Sequence, residues 1–277
     1  TCVNVAGGSL TMDSCTLAAT NTALEYEGES GQLALIKNST LTGQFGIDGN
    51  NVTIESGTVT GTKKAVIIHD GTLLVKEDAT VTGTIRSEDA NVYIEKTPDE
   101  SAVYPVEGDF KNLFVKMTPA KPADPNVAGS TETPAVIPTV KLTGDTTIDA
   151  MRAREADAEG NYPECELKAV ADAHCGALTV NSGKLDLDAM GMGVDVALTV
   201  PTVTAEGKES PAANVSAKGN LKSLTGTITP TGDLKIRGGT GTLLAVPKNE
   251  AIALEISSMG GTADISSYIR EYTALSI

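Results

Sequence analysis

The chain has 277 residues, which is enough for one large domain or two of ordinary size with a substantial core. Only 3% of the residues are aromatic and Trp is absent, so the core must be built from Val, Ile, Leu, Ala and Thr, which suit pleated sheets. The 36 acidic against 21 basic residues give a formal net charge of −15. Because this charge repels phosphate backbones and anionic headgroups, we expect neither nucleic acid nor a membrane surface as a partner.

A repeat of three short apolar segments occupies the first hundred residues. Each unit opens with a strand of alternating apolar residues, and successive opening strands start 19 to 23 residues apart. A second strand with an apolar centre follows, and a third apolar patch closes the unit. The opening strands start at Leu10, Leu33, Val52, Leu73 and Val92, the second strands are centred on Leu17, Leu41, Val59 and Val81, and the third patches contain Leu24, Tyr26, Phe45, Ile47, Val66, Ile68 and Ile85.

Three strands per unit, separated by Gly, Asn, Asp and Ser turns, are typical of one coil of a parallel β-helix, whose apolar residues are buried only by stacking on neighbouring coils. An antiparallel sandwich also has many short strands, but it does not require position-by-position correspondence between units. We therefore predict an all-β solenoid with coils of about 20 residues over residues 1–96. Residues 8–96 resemble the right-handed parallel β-helix superfamily and, more loosely, the repeats of surface proteins and adhesins.

The second part of the chain is less regular. Seven of the twelve prolines lie between Pro98 and Pro138, which predicts a proline-rich linker or long loop over residues 97–139. Residues 150–158 predict a short helix inside a disulfide-stapled excursion near 150–176. Residues 140–277 are otherwise β-rich, and we predict either further coils or a second β domain.

The four cysteines form two close pairs in the sequence, Cys2 with Cys15 and Cys165 with Cys175, neither with zinc-knuckle or redox spacing. Two disulfides in an oxidising compartment are the favoured interpretation. Buried thiols in a cytosolic protein are one alternative, and a metal bound by Cys165, His174 and Cys175 is another. The start of the chain lacks Met and a signal core, so we expect a mature segment, and no stretch is long and apolar enough to span a membrane.

No catalytic constellation is recognisable. Many β-helix proteins cleave acidic polysaccharides, but their Asn-Thr-Asp, Gly-His-Gly and Arg-Ile-Lys motifs do not occur, and Lys235-Ile236-Arg237 has the reverse order. Carboxylates such as Asp186 and Asp188 alternate with apolar residues, which predicts a solvated strand face, with weak Ca²⁺ binding as the alternative. His69 precedes an Asp-Gly turn and is interpreted as a surface residue. We predict no catalytic residue, no metal ligand and no cofactor.

Two sequence features concern the surface. The second strands repeat Thr-x-Thr around an inward apolar residue, a pattern similar to the ice-binding face of some β-solenoid antifreeze proteins, although the first unit reads Thr16-Leu17-Ala18. Three Asn-x-Ser/Thr sequons permit glycosylation. The predicted outward threonines are Thr40, Thr42, Thr58, Thr60, Thr80 and Thr82, and the sequons start at Asn38, Asn51 and Asn214.

These features predict a secreted, non-enzymatic structural module at the cell surface. It would be adhesin-like or part of a self-assembling envelope or filament, with itself or other surface proteins as partners. The alternative is a carbohydrate-binding or polysaccharide-active protein, in which Tyr26, Tyr93 and Tyr104 replace the missing Trp. Ice binding through the Thr-x-Thr face is a third hypothesis.

Overall fold

The computed structural model describes the backbone of residues 1–98, 101–123, 130–171, 175–188 and 194–198, and of six later strands within residues 213–276. Side chains are described within the same ranges up to residue 197. The fold is all-β, with no helix in the described part of the chain. Its strands pair in parallel over about nine turns of a β-solenoid, with coils about 21 residues apart. The predicted fold class is therefore confirmed.

The strands, in chain order, belong to one continuous network of pairings. Their bounds are β1 (Val3–Val5), β2 (Leu10–Asp13), β3 (Thr16–Ala18), β4 (Thr22–Tyr26), β5 (Ala34–Lys37), β6 (Ser39–Gly49), β7 (Val52–Ile68), β8 (Thr72–Thr82), β9 (Ile85–Ile94), β10 (Val103–Val115), β11 (Thr139–Ile148), β12 (Glu166–Ala171), β13 (Ala177–Val180), β14 (Gly183–Asp188), β15 (Val194–Leu198), β16 (Ala213–Ile228), β17 (Leu234–Arg237), β18 (Gly241–Ala245), β19 (Leu254–Ser257), β20 (Ala263–Asp264) and β21 (Leu275–Ser276).

The first part of the solenoid has three faces, and each of the four coils between residues 10 and 87 contributes one segment to each face. Alternate side chains of every strand point inward, and the inward ones stack into columns such as Leu41 on Val59, both fully buried. Face A comprises residues 10–13, 34–37, 52–54, 72–75, 91–94 and 112–115; face B comprises 16–18, 39–43, 57–61 and 79–82; face C comprises 3–5, 22–26, 45–49, 64–68, 85–87 and 106–108.

One predicted strand is shifted by one residue. The pattern placed Leu33 and Leu35 inward, but Leu10 pairs with Ala34, and Leu33 is 38% exposed. A one-residue shift moves every side chain of a strand to the opposite face. Ala34 and Ile36 are fully buried instead, because this register stacks Ile36 between Met12 and Ile54 in the inward column of face A.

The proline-rich stretch 97–139 contains ordered β-structure. Residues 103–115 form β10, a strand of the solenoid that includes Pro105. Beyond β10 the chain leaves the solenoid as an antiparallel arm, held by bridges from Thr118 to Val136 and from Lys121 to Thr133. Proline has no backbone N–H and cannot donate a hydrogen bond to a neighbouring strand. It is tolerated at a strand position where no such hydrogen bond is needed. A proline count therefore does not distinguish a linker from an arm attached to a solenoid strand.

The solenoid continues after this arm with two ladders. One runs through β10, β11, β12, β14 and β16, and the other through β11, β13, β15 and β16, all in parallel register. The later strands β17 to β21 pair in the same way. Of the two interpretations of residues 140–277, the described strands thus support further coils. Irregular insertions, such as the segment before β12, concealed this period in the sequence.

The predicted helix at residues 150–158 is wrong. The side chain of Asn112 holds the backbone of Arg152 on both sides: Asn112 Nδ2 donates to Arg152 O at 2.8 Å, and Arg152 N donates to Asn112 Oδ1 at 3.0 Å. An antiparallel bridge then joins Arg152 to Glu164. A helix of nine residues is marginal by itself, so these contacts with the solenoid determine the local structure. We call residues 150–164 the excursion.

The predicted disulfides are also wrong. All four cysteines lie in the described part of the chain, and none forms a disulfide bond. Cys2 precedes β1 on face C, whereas Cys15 precedes β3 on face B. Two residues that are separated by roughly half a coil lie on different faces of a solenoid. Cysteines this close in the sequence are therefore poorly placed to form a disulfide bond. Cys165 and Cys175 likewise precede β12 and β13, which belong to different ladders.

Candidate functional surfaces

Face B carries two columns of outward hydroxyl groups. The first column is Thr16, Thr40, Thr58 and Thr80, in direct register on four successive rungs. Thr58 and Thr60 are half-buried, while the threonines of the rungs on either side are exposed. The rungs of a sheet are about 4.8 Å apart, so the face presents a short regular array. The second column is Thr42, Thr60 and Thr82, and Ala18 occupies its first rung without a hydroxyl.

Face C carries an ionic cluster centred on His69. His69 Nε2 lies 2.6 Å from Asp48 Oδ1, and His69 Nδ1 lies 2.7 Å from Glu88 Oε2. The histidine thus joins the preceding coil, which contains Asp48, to the following coil, which contains Glu88. Arg86 extends the cluster to Glu88 at 3.0 Å and to Glu107 at 3.9 Å. Sequence reasoning interpreted His69 as a plain turn residue, yet Asp48, His69 and Glu88 are separated by one coil length each, and aligning the coils would have revealed the cluster.

The cluster changes the protonation of its members in opposite directions. Partial burial lowers the pKa of His69, but hydrogen bonds to Glu88 and Asp48 outweigh burial and raise it above its ordinary 6.5. The hydrogen bond from His69 lowers the pKa of Glu88 below its ordinary 4.5, against a smaller opposing effect of burial. Both carboxylates therefore favour a protonated His69, which makes the cluster sensitive to pH near neutrality.

Face A carries a column of charges that alternate in sign along the solenoid. Each member follows the last inward residue of a face A segment, so the column advances by one coil at each step. Lys37 pairs with Glu55 at 3.2 Å, and Lys116 reaches Glu77 at 3.4 Å. Alternation keeps like charges off adjacent rungs, where they would destabilise the sheet. The column is Asp13, Lys37, Glu55, Lys76, Glu95 and Lys116.

The excursion forms one wall of a groove over face A. The groove has a volume of about 520 Å³, with Phe114 among the face A residues and Arg154 on the excursion. The groove combines the aromatic ring of Phe114 with charges of both signs. Elsewhere on the excursion, Arg152 lies over the ring of Tyr162, 5.7 Å from its centroid. Its lining residues are Glu55, Lys76, Glu77, Asp78, Glu95, Phe114, Lys116, Ala153, Arg154 and Glu155.

The remaining predicted site residues are dispersed. Tyr26 is fully buried and donates its hydroxyl to Gly8 O at 2.8 Å, so it cannot stack on a sugar. Tyr93 and Tyr104 are half-buried. His174 lies outside the described residues, so the proposed ligand set with Cys165 and Cys175 is not placed. No group of three His, Cys, Asp or Glu side chains suited to a metal occurs among the described residues.

The sequons differ in accessibility. Asn38 is exposed, and its Nδ2 donates to Asp13 Oδ1 at 3.2 Å. Asn51 is half-buried and accepts a hydrogen bond from the Thr72 amide at 3.2 Å, and the Thr53 of its sequon is only 9% exposed. Asn214 lies in β16, and its side chain is outside the described part. Asp186 and Asp188 are half-buried on the outward side of β14, as their alternation predicts.

The geometry defines the chain as a parallel β-solenoid with patterned outer faces. Comparison with protein-family models, with curated proteins and with solved structures finds no match to this chain. The coil architecture supports the parallel β-helix fold, and no match supports the looser resemblance to adhesin-type surface proteins. Among the described residues, no helix has the length and apolar character that crossing a membrane would require.

Proposed function

We propose that this chain is a non-enzymatic structural module of the extracellular surface, adhesin-like or part of a self-assembling envelope or filament. The observation that carries the proposal is that the charged side chains mostly form ion pairs between coils. Within the described part of the chain, every ion pair except Arg86–Glu88 and Arg154–Glu155 joins residues of different coils. Charges used in this way stabilise the stack of coils.

Lys64 illustrates this role most clearly. Its ammonium lies 2.6 Å from Glu107 Oε2, and these side chains are only 23% and 14% exposed. Because partial burial weakens solvent screening, such a pair contributes more than a fully exposed one. A rod that is braced along its length and carries a net charge of −15 suits a spacer or scaffold that must stay soluble while presenting a long surface. The acidic composition is also the support for extracellular placement.

Location and assembly can be tested separately. Antibodies against the chain, applied to intact source cells, are expected to label the surface, and labelling that requires permeabilised cells would contradict extracellular placement. Negative-stain microscopy of native material is expected to show rods or polymers.

Discrete monomers that bind glycans on an array would favour the carbohydrate-binding alternative. Turnover of a pectin or alginate panel, abolished by a single Asp→Asn change, would refute the non-enzymatic proposal.

Ice binding is a second candidate, favoured by the register of the two threonine columns on face B. Outward hydroxyls at fixed spacing on a flat, rigid sheet present a regular array to ordered water. Thermal hysteresis of the purified chain tests this candidate. We expect Thr42→Lys and Thr60→Lys to abolish any hysteresis, whereas Lys184→Met, on β14, should preserve it. An absence of hysteresis in the unmodified chain would remove the candidate.

A further inference from the structure

The face A groove contains two opposite charges that the protein does not pair. Lys76 and Glu95 directly follow Val75 and Ile94, which are partners in register on consecutive rungs. The two side chains therefore emerge on the same side of the sheet, one rung of about 4.8 Å apart. Both residues are half-buried. Within the described residues, neither side chain takes part in an ion pair or a hydrogen bond, unlike Lys37 with Glu55 or Lys116 with Glu77.

Each of these two charges is therefore available to a ligand that brings the opposite charge. Arg154, on the excursion wall, adds a second cation to the groove. The guanidinium of Arg154 is paired with Glu155 at 2.8 Å, so Lys76 is the cation of the two that has no partner. A carboxylate placed at Lys76 would satisfy it, and an ammonium placed one rung away would satisfy Glu95. Phe114 lines the same groove and offers its ring to an apolar substituent. The volume of about 520 Å³ lies within the range of small-molecule sites.

We propose that the face A groove binds a small zwitterion in which an ammonium and a carboxylate lie close together beside an apolar group, such as a free α-amino acid with an aromatic or aliphatic side chain. The carboxylate binds at Lys76, on the side of the groove that Arg154 borders, the ammonium binds at Glu95, and the apolar group packs on Phe114. The excursion closes one side of the site. This binding site is independent of the structural role, because it uses charges that do not join coils.

Isothermal titration calorimetry on the intact chain tests the charge requirement. The probes are L-phenylalanine, which carries both charges, 2-phenylethylamine, which lacks the carboxylate, and 3-phenylpropanoate, which lacks the ammonium. We expect L-phenylalanine to bind and each singly charged analogue to bind at least about tenfold more weakly, since each loses one charge-assisted contact. Equal binding of the three probes, or no binding of L-phenylalanine at about 20 mM, would overturn the proposal.

Variants assign the two charges. Lys76→Met is expected to weaken the binding of L-phenylalanine about tenfold and to leave the weak binding of 2-phenylethylamine unchanged. Glu95→Gln is expected to weaken the binding of L-phenylalanine by a similar factor and to leave the weak binding of 3-phenylpropanoate unchanged. Lys111→Met is the matched control, because Lys111 pairs with Asp89 at 3.0 Å outside the groove. Circular dichroism checks that each variant is folded. If both groove variants bind L-phenylalanine as tightly as the control does, the assignment of the site is wrong.

Discussion

Replacing Leu41 by Ala tests whether the stacked inward columns hold the solenoid together. Leu41 is fully buried and lies between Leu17 on one rung and Val59 on the next. The truncation removes buried side-chain carbons and leaves a cavity that two rigid rungs cannot collapse. We therefore expect a loss of about 3 kcal/mol. Thr42→Ala is the matched control, because Thr42 is the next residue of the same strand and is exposed, and it should cost no more than about 0.5 kcal/mol.

Hydrogen exchange measured by mass spectrometry is the suitable assay, because coils interact mainly with their neighbours and unfolding need not be two-state. A loss of about 3 kcal/mol corresponds to roughly a hundredfold faster opening. We expect this acceleration in peptides covering residues 16–18, 39–43 and 57–61, and little change in residues 166–171. If Leu41→Ala and Thr42→Ala accelerate exchange equally, the assignment of inward and outward positions on face B is wrong.

Three further predictions concern pH, backbone conformation and thiol reactivity. Because the folded-state pKa of His69 is raised, its contribution to stability is complete below pH 6.5 and is lost as the pH rises through the folded-state value. Thermal melts between pH 5 and pH 9 should show this loss, and His69→Gln should remove it. A melting temperature of the parent chain that does not change over that range would refute the reasoning. Gly71→Ala should destabilise by about 2 kcal/mol, since Gly71 has φ +72° and a Cβ there would clash with the Asn51 carboxamide, whereas Gly31→Ala, at φ +82° in open space, should cost only about 1 kcal/mol; equal losses in denaturant titrations would contradict the clash. Burial raises the pKa of the Cys165 thiol to about 11, so a thiol reagent at pH 8 should label exposed Cys2 quickly and Cys165 only after unfolding, and rapid labelling of Cys165 in the folded chain would show that it is accessible.

The coil period and the inward positions could be predicted from the sequence over residues 8–96. Stacked coils repeat the same environment at the same position, so the apolar residues recur at a spacing that the sequence displays directly. The outward threonines followed from the same alternation, and the structure places them in two columns. The one register error lies at Leu33. Positions 33 and 35 are apolar and so are positions 34 and 36, and only the stacking of Ile36 against Met12 and Ile54 shows which of the two sets points inward.

Contacts between coils decided the rest, because they join residues that are distant or offset in the sequence. The amide of Asn112 determines the path of the excursion at Arg152, against the local helical pattern. The winding of the chain places the two cysteines of each pair next to different faces or ladders and so prevents the disulfides. Stacking also assembles the His69 cluster and the face A groove from residues one coil apart. The sequence by itself determined the repeating unit, and the three-dimensional stack determined which side chains meet, because in a solenoid the nearest neighbours of a residue lie about 21 positions away.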